Sequence, residues 1–283
     1  MNHRAHLIGK NASSGGSERS NCQYNGDTNT WSGAKFGGSE LGHIYDSFAY
    51  DPATGDVYSG TWASDVLQKW AYGDALTSWS NVSTSSQTLT GSTQPAMCWH
   101  PNLYGPGDGG LLVMSQSGGN GRLVAWRKST DAWSVVSGTT HANSYTYPMR
   151  GGMVYVRGGG YVLAAFNPTT GGNTYKVAAG SGGSLGTVST IDDVPIPCNA
   201  EGGSTQSGML LDDPLGTDSA YILEKGGTDR VWKLSGTSWT LKGYTHPLEV
   251  SDTEYVVASC YPHGVFWRQY HNTTNSMVWR PND

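Results

Sequence analysis

Short runs of alternating apolar and polar residues, each bounded by Gly, Asn, Asp, Ser or Pro, recur along the whole chain. Such runs predict strands joined by tight turns rather than helices. The clearest recurring unit is an aromatic closing one strand, a polar turn, and an aromatic opening the next. It occurs as Trp70…Trp79 (KWAYGDALTSWSNV), Trp126…Trp133 (AWRKSTDAWSVV), Phe166…Tyr175 (AFNPTTGGNTYKV) and Trp232…Trp239 (VWKLSGTSWTL). Separations of nine, seven, nine and seven residues fit hairpins. A fifth copy is split: Trp279 in SMVWRPND lacks a following strand, and Trp31 in NGDTNTWSGAKF lacks a preceding one.

Two further strand-like runs precede each hairpin: 45–50 and 56–59, 96–99 and 111–114, 145–149 and 153–156, 208–211 and 220–223, 255–260 and 265–269. The first aromatics recur after 56, 40, 66 and 47 residues, the size of a propeller blade. The sequence therefore predicts an all-β, five-bladed β-propeller with four antiparallel strands per blade. The blades fall at about 43–83, 94–137, 141–178, 204–242, and 254–283 plus 29–36. In this reading the N-terminal strand at 29–36 pairs with 276–280 to close the last blade, which protects the sheet edge at the seam. Residues 1–23 are expected to be an N-terminal arm or tail, and 24–283 a single domain.

Three units carry a double glycine after a strand: Gly118-Gly119, Gly158-Gly159 and Gly226-Gly227. Each is followed by a strand, a turn and an aromatic, an order that resembles the kelch motif. The first unit has Gly60-Thr61 and the fifth His271-Asn272 at that place. The resemblance implies a kelch-like propeller, a fold that hosts adaptors, lectins, oxidases and epimerases alike. Kelch-like oxidases of the galactose oxidase type would imply a copper site, and its constellation is not found here. The glycines read as positions of positive φ and close blade packing. The Gly/Ser stretch 179–190 reads as a surface insertion between the third and fourth blades.

Composition narrows the class further. The 283 residues include 40 Gly, 11 Trp and 16 Tyr, with 14% charged residues, a balance that disfavours helical surfaces and favours strands. Net charge is −5 with an isoelectric point near 5.9, and no basic cluster appears, which disfavours nucleic acid as a partner. No apolar run is long enough for a membrane helix. No secretory h-region follows Arg4 and Lys10, so no signal peptide is expected. Cys22, Cys98, Cys198 and Cys260 lie far apart, with no metal-type spacing; Cys98 and Cys260, in apolar strand-like runs, read as small buried hydrophobes. The aromatics at the repeated hairpin positions, Trp31, Trp79, Trp133, Tyr175 and Trp239, read as rings buried between blades.

The long inter-blade connections bring His43, Gln94, His141, Glu201 and His246 towards the central axis, each just before an innermost strand. Tyr45, Asp46 and Tyr145 stand beside them. These groups are expected to line a polar funnel that binds a ligand through hydrogen bonds. Three imidazoles and a carboxylate also have the chemistry of a metal site, but no ligand spacing ties them, so no metal, cofactor or catalytic residue is assigned. The leading reading is a non-enzymatic propeller presenting loops to a protein or glycan partner, assembled into a larger particle such as a bacteriophage virion. The alternative is a glycoside hydrolase or lyase, or a kelch-like metal-dependent oxidoreductase, with an axial site.

Overall fold

The computed structural model describes residues 4–10, 18–25, 28, 30–37, 48–60, 65–74, 79–87, 96–117, 120–139, 141–142, 151–166, 174–196, 198, 207–225, 230–244, 255–270 and 276–280. Every ladder among them is antiparallel. The N-terminal sheet is β1 (Arg4–Lys10), β2 (Glu18–Asn25) and β3 (Thr30–Gly37). Next come β4 (Phe48–Tyr50), β5 (Val57–Gly60), β6 (Val66–Trp70) and β7 (Ser80–Thr84), a four-stranded meander. The third sheet holds β8 (Met97–Gly105), β9 (Asp108–Ser117), β10 (Asn120–Arg127) and β11 (Ala132–Val135), with the two-residue β12 (His141–Ala142) on β10. Two more meanders are β13 (Gly151–Val156), β14 (Tyr161–Phe166), β15 (Thr174–Ala178) and β16 (Val188–Ile191), then β17 (Ser207–Asp212), β18 (Ala220–Lys225), β19 (Arg230–Ser235) and β20 (Ser238–Tyr244). The last sheet has β21 (Tyr255–Cys260), β22 (Val265–Tyr270) and β23 (Ser276–Trp279).

Among the described residues, the sheets from β4 onward stack as consecutive blades through four apolar cores. Strand alternation makes this possible, because successive side chains point to opposite faces. Along β9, Leu111 and Val113 pack towards Tyr58 and Leu67 of the preceding sheet, while Leu112 and Met114 pack towards Met153 and Val162 of the following one. β14 behaves likewise: Val162, Ala164 and Phe166 face one neighbour, and Tyr161, Leu163 and Ala165 face the other. All six residues of β14 are buried, which explains a continuous apolar run where a one-sided sheet would alternate. The fourth core joins Leu211, Tyr221, Leu223 and Val231 to Phe266.

The aromatic hairpin appears with Trp126 opposite Trp133, while in the fourth unit Trp239 stands opposite Leu234 and Trp232 opposite Leu241. The first aromatic lies deep in three units, where Trp70, Trp126 and Phe166 are buried, whereas Trp133, Trp239 and the first aromatic Trp232 are half-buried against the cores. Tyr175 is an exception and sits in the core, because its unit is phased differently. Phe166 and Tyr175 join the second and third strands of their blade, not the third and fourth. Its first strand is β13, which the sequence reading had placed second, and its fourth is β16, inside the expected insertion. That stretch is no loose excursion. Gly180 and Gly186 donate from their backbone nitrogens to Asn102 and Leu103 carbonyls at 2.9 and 3.0 Å.

The same shift moves Gly158-Gly159 from the end of a second strand to the turn between β13 and β14. A Cβ on Gly158 would lie 2.2 Å from the Thr217 carbonyl carbon and 2.5 Å from the Asp218 nitrogen. Backbone of the next blade cannot yield as a side-chain tip can, so Gly158→Ala is expected to cost about 3 kcal/mol, the upper end for overpacking. Urea unfolding checks this; a variant with the parent midpoint would show that the blades do not approach so closely.

Among the described residues no pair joins 29–36 to 276–280. Thr30–Gly37 pairs with Glu18–Asn25, placing Tyr24 opposite Trp31. Among the described residues, Ser276–Trp279 pairs with Val265–Tyr270 alone. Tyr24 is the preceding aromatic that Trp31 was thought to lack, and a local hairpin costs less loop-closure entropy than joining distant parts of the chain. Within the expected arm, β1 and β2 pair over their full length.

Candidate functional site

His43, Tyr45, Asp46, Gln94, Tyr145, Glu201 and His246 lie outside the described residues. The backbone of His141 is described: it pairs with Gly121 on β10, the third strand of its blade. The described polar groups gather at the other end of the blades, where first strands turn into second strands.

Two of these turns share a sequence device. Asp51-Pro52 and Asp213-Pro214 each place a carboxylate over the following backbone, the local bond that favours Asp at turns. Asp51 Oδ1 accepts from Ala53 N at 2.9 Å, and Asp213 Oδ1 accepts from Leu215 N at 2.8 Å. Thr54 Oγ1 adds a donor to Asp51, and Thr217 Oγ1 does the same for Asp213. The main chain closes both turns, with Gly55 N donating to Asp51 O and Gly216 N to Asp213 O, each at 2.8 Å.

Strand alternation sends Asp212, the residue before Asp213, to the opposite side. There Asp212, 5% exposed, meets Arg157 from the preceding blade. Arg157 N donates to Asp212 Oδ1 at 3.2 Å, and Arg157 Nε lies 3.6 Å from Oδ2. Burial pushes the Asp212 carboxyl up to about 6, although Arg157 pulls the other way. The Arg157 guanidinium also lies over the ring of Tyr261, with Cζ 4.6 Å from its centroid. Tyr261, in the first turn of the last blade, rests beside Gly216, where a Cβ would come within 2.6 Å of the ring. Gly264 N donates to Pro214 O at 3.2 Å. Three successive blades are thus fastened together at one end.

Parallel fastenings hold the other blades. Lys128 Nζ reaches Asp51 Oδ2 at 2.8 Å and Asp56 Oδ2 at 3.7 Å, above the stacked rings of Tyr58 and Trp99. Arg127 binds Asp108 through Nε and an Nη and holds that carboxyl below its ordinary range. Asp131, at a positive φ of 51°, accepts from Trp126 Nε1 at 2.8 Å and from Ser83 Oγ of the preceding blade. Ser83 in turn accepts from Trp133 Nε1 at 2.7 Å.

His100 ends the innermost run of its blade and is fully buried. Its Nδ1 accepts from Asn102 N at 3.1 Å, so Nε2 carries the proton. That N–H turns towards the backbone of Val177 and Ala178 with geometry short of a full hydrogen bond. Burial drives the imidazole down to about 4, and its ring lies 5.3 Å from that of Tyr155. This is a neutral histidine at physiological pH. Among the described residues no group of three His, Cys, Asp or Glu is placed to hold a metal ion, and no helix is long and apolar enough to cross a membrane.

What this end offers to a ligand is a cation beside exposed aromatic and apolar surface. Arg157 is 47% exposed, Tyr261 50% and Leu215 49%. None of the three was singled out from the sequence. The available signal was the recurrence of a residue before proline, Asp51, Asp213 and Tyr261, at the first turn of three blades.

Antiparallel four-stranded sheets stacked face to face define the chain as a β-propeller. Known structures agree at the level of fold. A protein from Lactobacillus plantarum is similar with a TM-score of 0.58 at 13% identity, over 98% of this chain and 78% of that one. A protein from Bacteroides uniformis ATCC 8492, named as a candidate 6-phosphogluconolactonase, gives 0.55 at 13% identity, over 100% and 84%. The Dos1 propeller gives 0.50 at 9% identity, over 92% and 62%. No family model matches the sequence, and no curated protein matches it.

Proposed function

We propose that the chain is a non-enzymatic, kelch-like propeller of five blades that presents turns and loops to a protein or glycan partner. The observation that carries this reading is the fastened lattice of first turns, which holds Arg157, Tyr261 and Leu215 half-exposed on a stiff base. Groups ordered before binding lose little entropy on complex formation. His43, Tyr45, Asp46, Gln94, His141, Tyr145, Glu201 and His246, expected from the sequence to gather at one end of the blades, are the second proposed contact surface.

A glycan array and a pull-down with the intact protein test the reading together. Saturable binding with the ligand recovered unchanged is the expected result. Alanine at two of His43, Gln94, His141, Glu201 and His246 should weaken binding at that end while leaving the melting temperature near that of the parent. Cleavage or oxidation of a bound glycan would replace the reading with the enzymatic one.

A further inference from the structure

We infer that the Arg157–Tyr261–Leu215 surface is a binding site for a carboxylate-bearing sugar, a uronate unit of an acidic glycan. The inference rests on the binding reading above and names its ligand class. Arg157 spends its inner edge on Asp212, through Nε at 3.6 Å and the main-chain nitrogen at 3.2 Å. Among the described residues its two terminal nitrogens have no hydrogen bond and no ion pair. A guanidinium fixed along one edge and by an aromatic ring presents the fork geometry that matches a carboxylate through two parallel bonds.

Ring and apolar surface lie next to that fork. Tyr261 and Leu215 are each about half exposed and are held across the two turns, Tyr261 against Gly216 and Leu215 against Gly264. An aromatic face beside an aliphatic step suits the C–H face of a pyranose, with a polar group fixing its orientation.

Local charge selects among anions. Asp212 and Asp213 stand on the turn itself and Asp218 on its far side, around the Arg157 cation. A phosphate or sulfate polymer would set dense negative charge against these carboxylates, whereas a uronate brings one charge per ring. Peptide recognition is disfavoured by the state of the main chain. The nitrogens of Leu215, Gly216, His263 and Gly264 are already donating, to Asp213 Oδ1, Asp213 O, Cys260 O and Pro214 O, and so are spent within the turns.

The test is titration calorimetry of the intact protein with trigalacturonate, its methyl ester, and an acidic tripeptide of equal charge. Trigalacturonate should bind, with the ester and the peptide weaker by roughly tenfold or more, the scale of one charge-assisted pair. Tyr261→Ala should weaken binding several-fold. Arg157→Gln alone leaves the Asp212 carboxylate buried without its cation, so the charge test is made with Arg157→Gln and Asp212→Asn together, which removes both members of the pair. That double variant should lose at least about tenfold in affinity while keeping its far-ultraviolet spectrum. Equal binding of acid and ester, undiminished binding by the double variant, or preference for the peptide would each overturn the inference. Glycan binding indifferent to Arg157 would sink this site and leave the binding reading standing. Turnover of the sugar would sink the binding reading itself.

Discussion

Truncating Phe166 to alanine should lower the unfolding free energy by about 3–5 kcal/mol, the typical loss for a buried aromatic that leaves a cavity. Phe166 is 1% exposed and meets Tyr175 edge to face at 6.0 Å, among Val162, Ala164, Leu112 and Met114. Its own sheet and the preceding one line the space it would vacate, so neither can collapse into it without disturbing a ladder. Trp239→Ala is expected to cost roughly half as much, because that ring is only half-buried and water takes over part of the contact. Urea unfolding of the two variants gives the comparison. Equal losses would show that the outer aromatic is as much a core residue as the inner one.

The second large effect is hidden in the parent protein. Asp212 is raised to about 6, so the fold favours its neutral form. It stabilises at low pH, and that contribution is lost as pH rises from about 4 through 6. His100 is lowered to about 4, so the fold favours the neutral imidazole. It stabilises above about pH 6.5, and that contribution is lost as pH falls towards 4. Within the shared window the folded chain holds a proton on Asp212 and the unfolded chain holds one on His100. The proton counts match, and the two slopes cancel.

Removing either group exposes the other. Relative to the parent, Asp212→Asn should lose stability as pH falls from 6.5 to 4, and His100→Gln should lose it as pH rises from 4 to 6. Each change should approach about 3 kcal/mol across the window. Subtracting the parent at every pH removes the contribution of carboxylates such as Asp108 and Asp131, whose folded values are depressed. An Asp212→Asn curve parallel to the parent curve would refute the compensation.

The repeated aromatics were readable because hairpin pairing is local: a fixed spacing around a polar turn puts Trp126 opposite Trp133. The same spacing cannot tell a second-to-third-strand hairpin from a third-to-fourth one, and Phe166…Tyr175 was misphased for that reason. The unbroken apolar run of β14 was the clue to a strand buried on both faces. Tyr24, seven residues before Trp31, carried the spacing that would have revealed the N-terminal hairpin. The turn-end site was less legible. Arg157, Asp212 and Tyr261 come from three turns far apart in sequence, and only the stacking of blades brings them together. Asp212 and Asp213 are adjacent and identical in sequence, and only the pleat sends the two carboxylates to opposite sides.

Three turns far apart in sequence are tied at one end by Arg157 over Tyr261, Tyr261 against Gly216, and Gly264 N donating to Pro214 O. A mechanical load that pulls β21–β23 from their neighbours must break these ties together with the Phe266 contacts. Rupture of that step should need less force in a Tyr261→Ala variant, because the ring that Arg157 covers is gone.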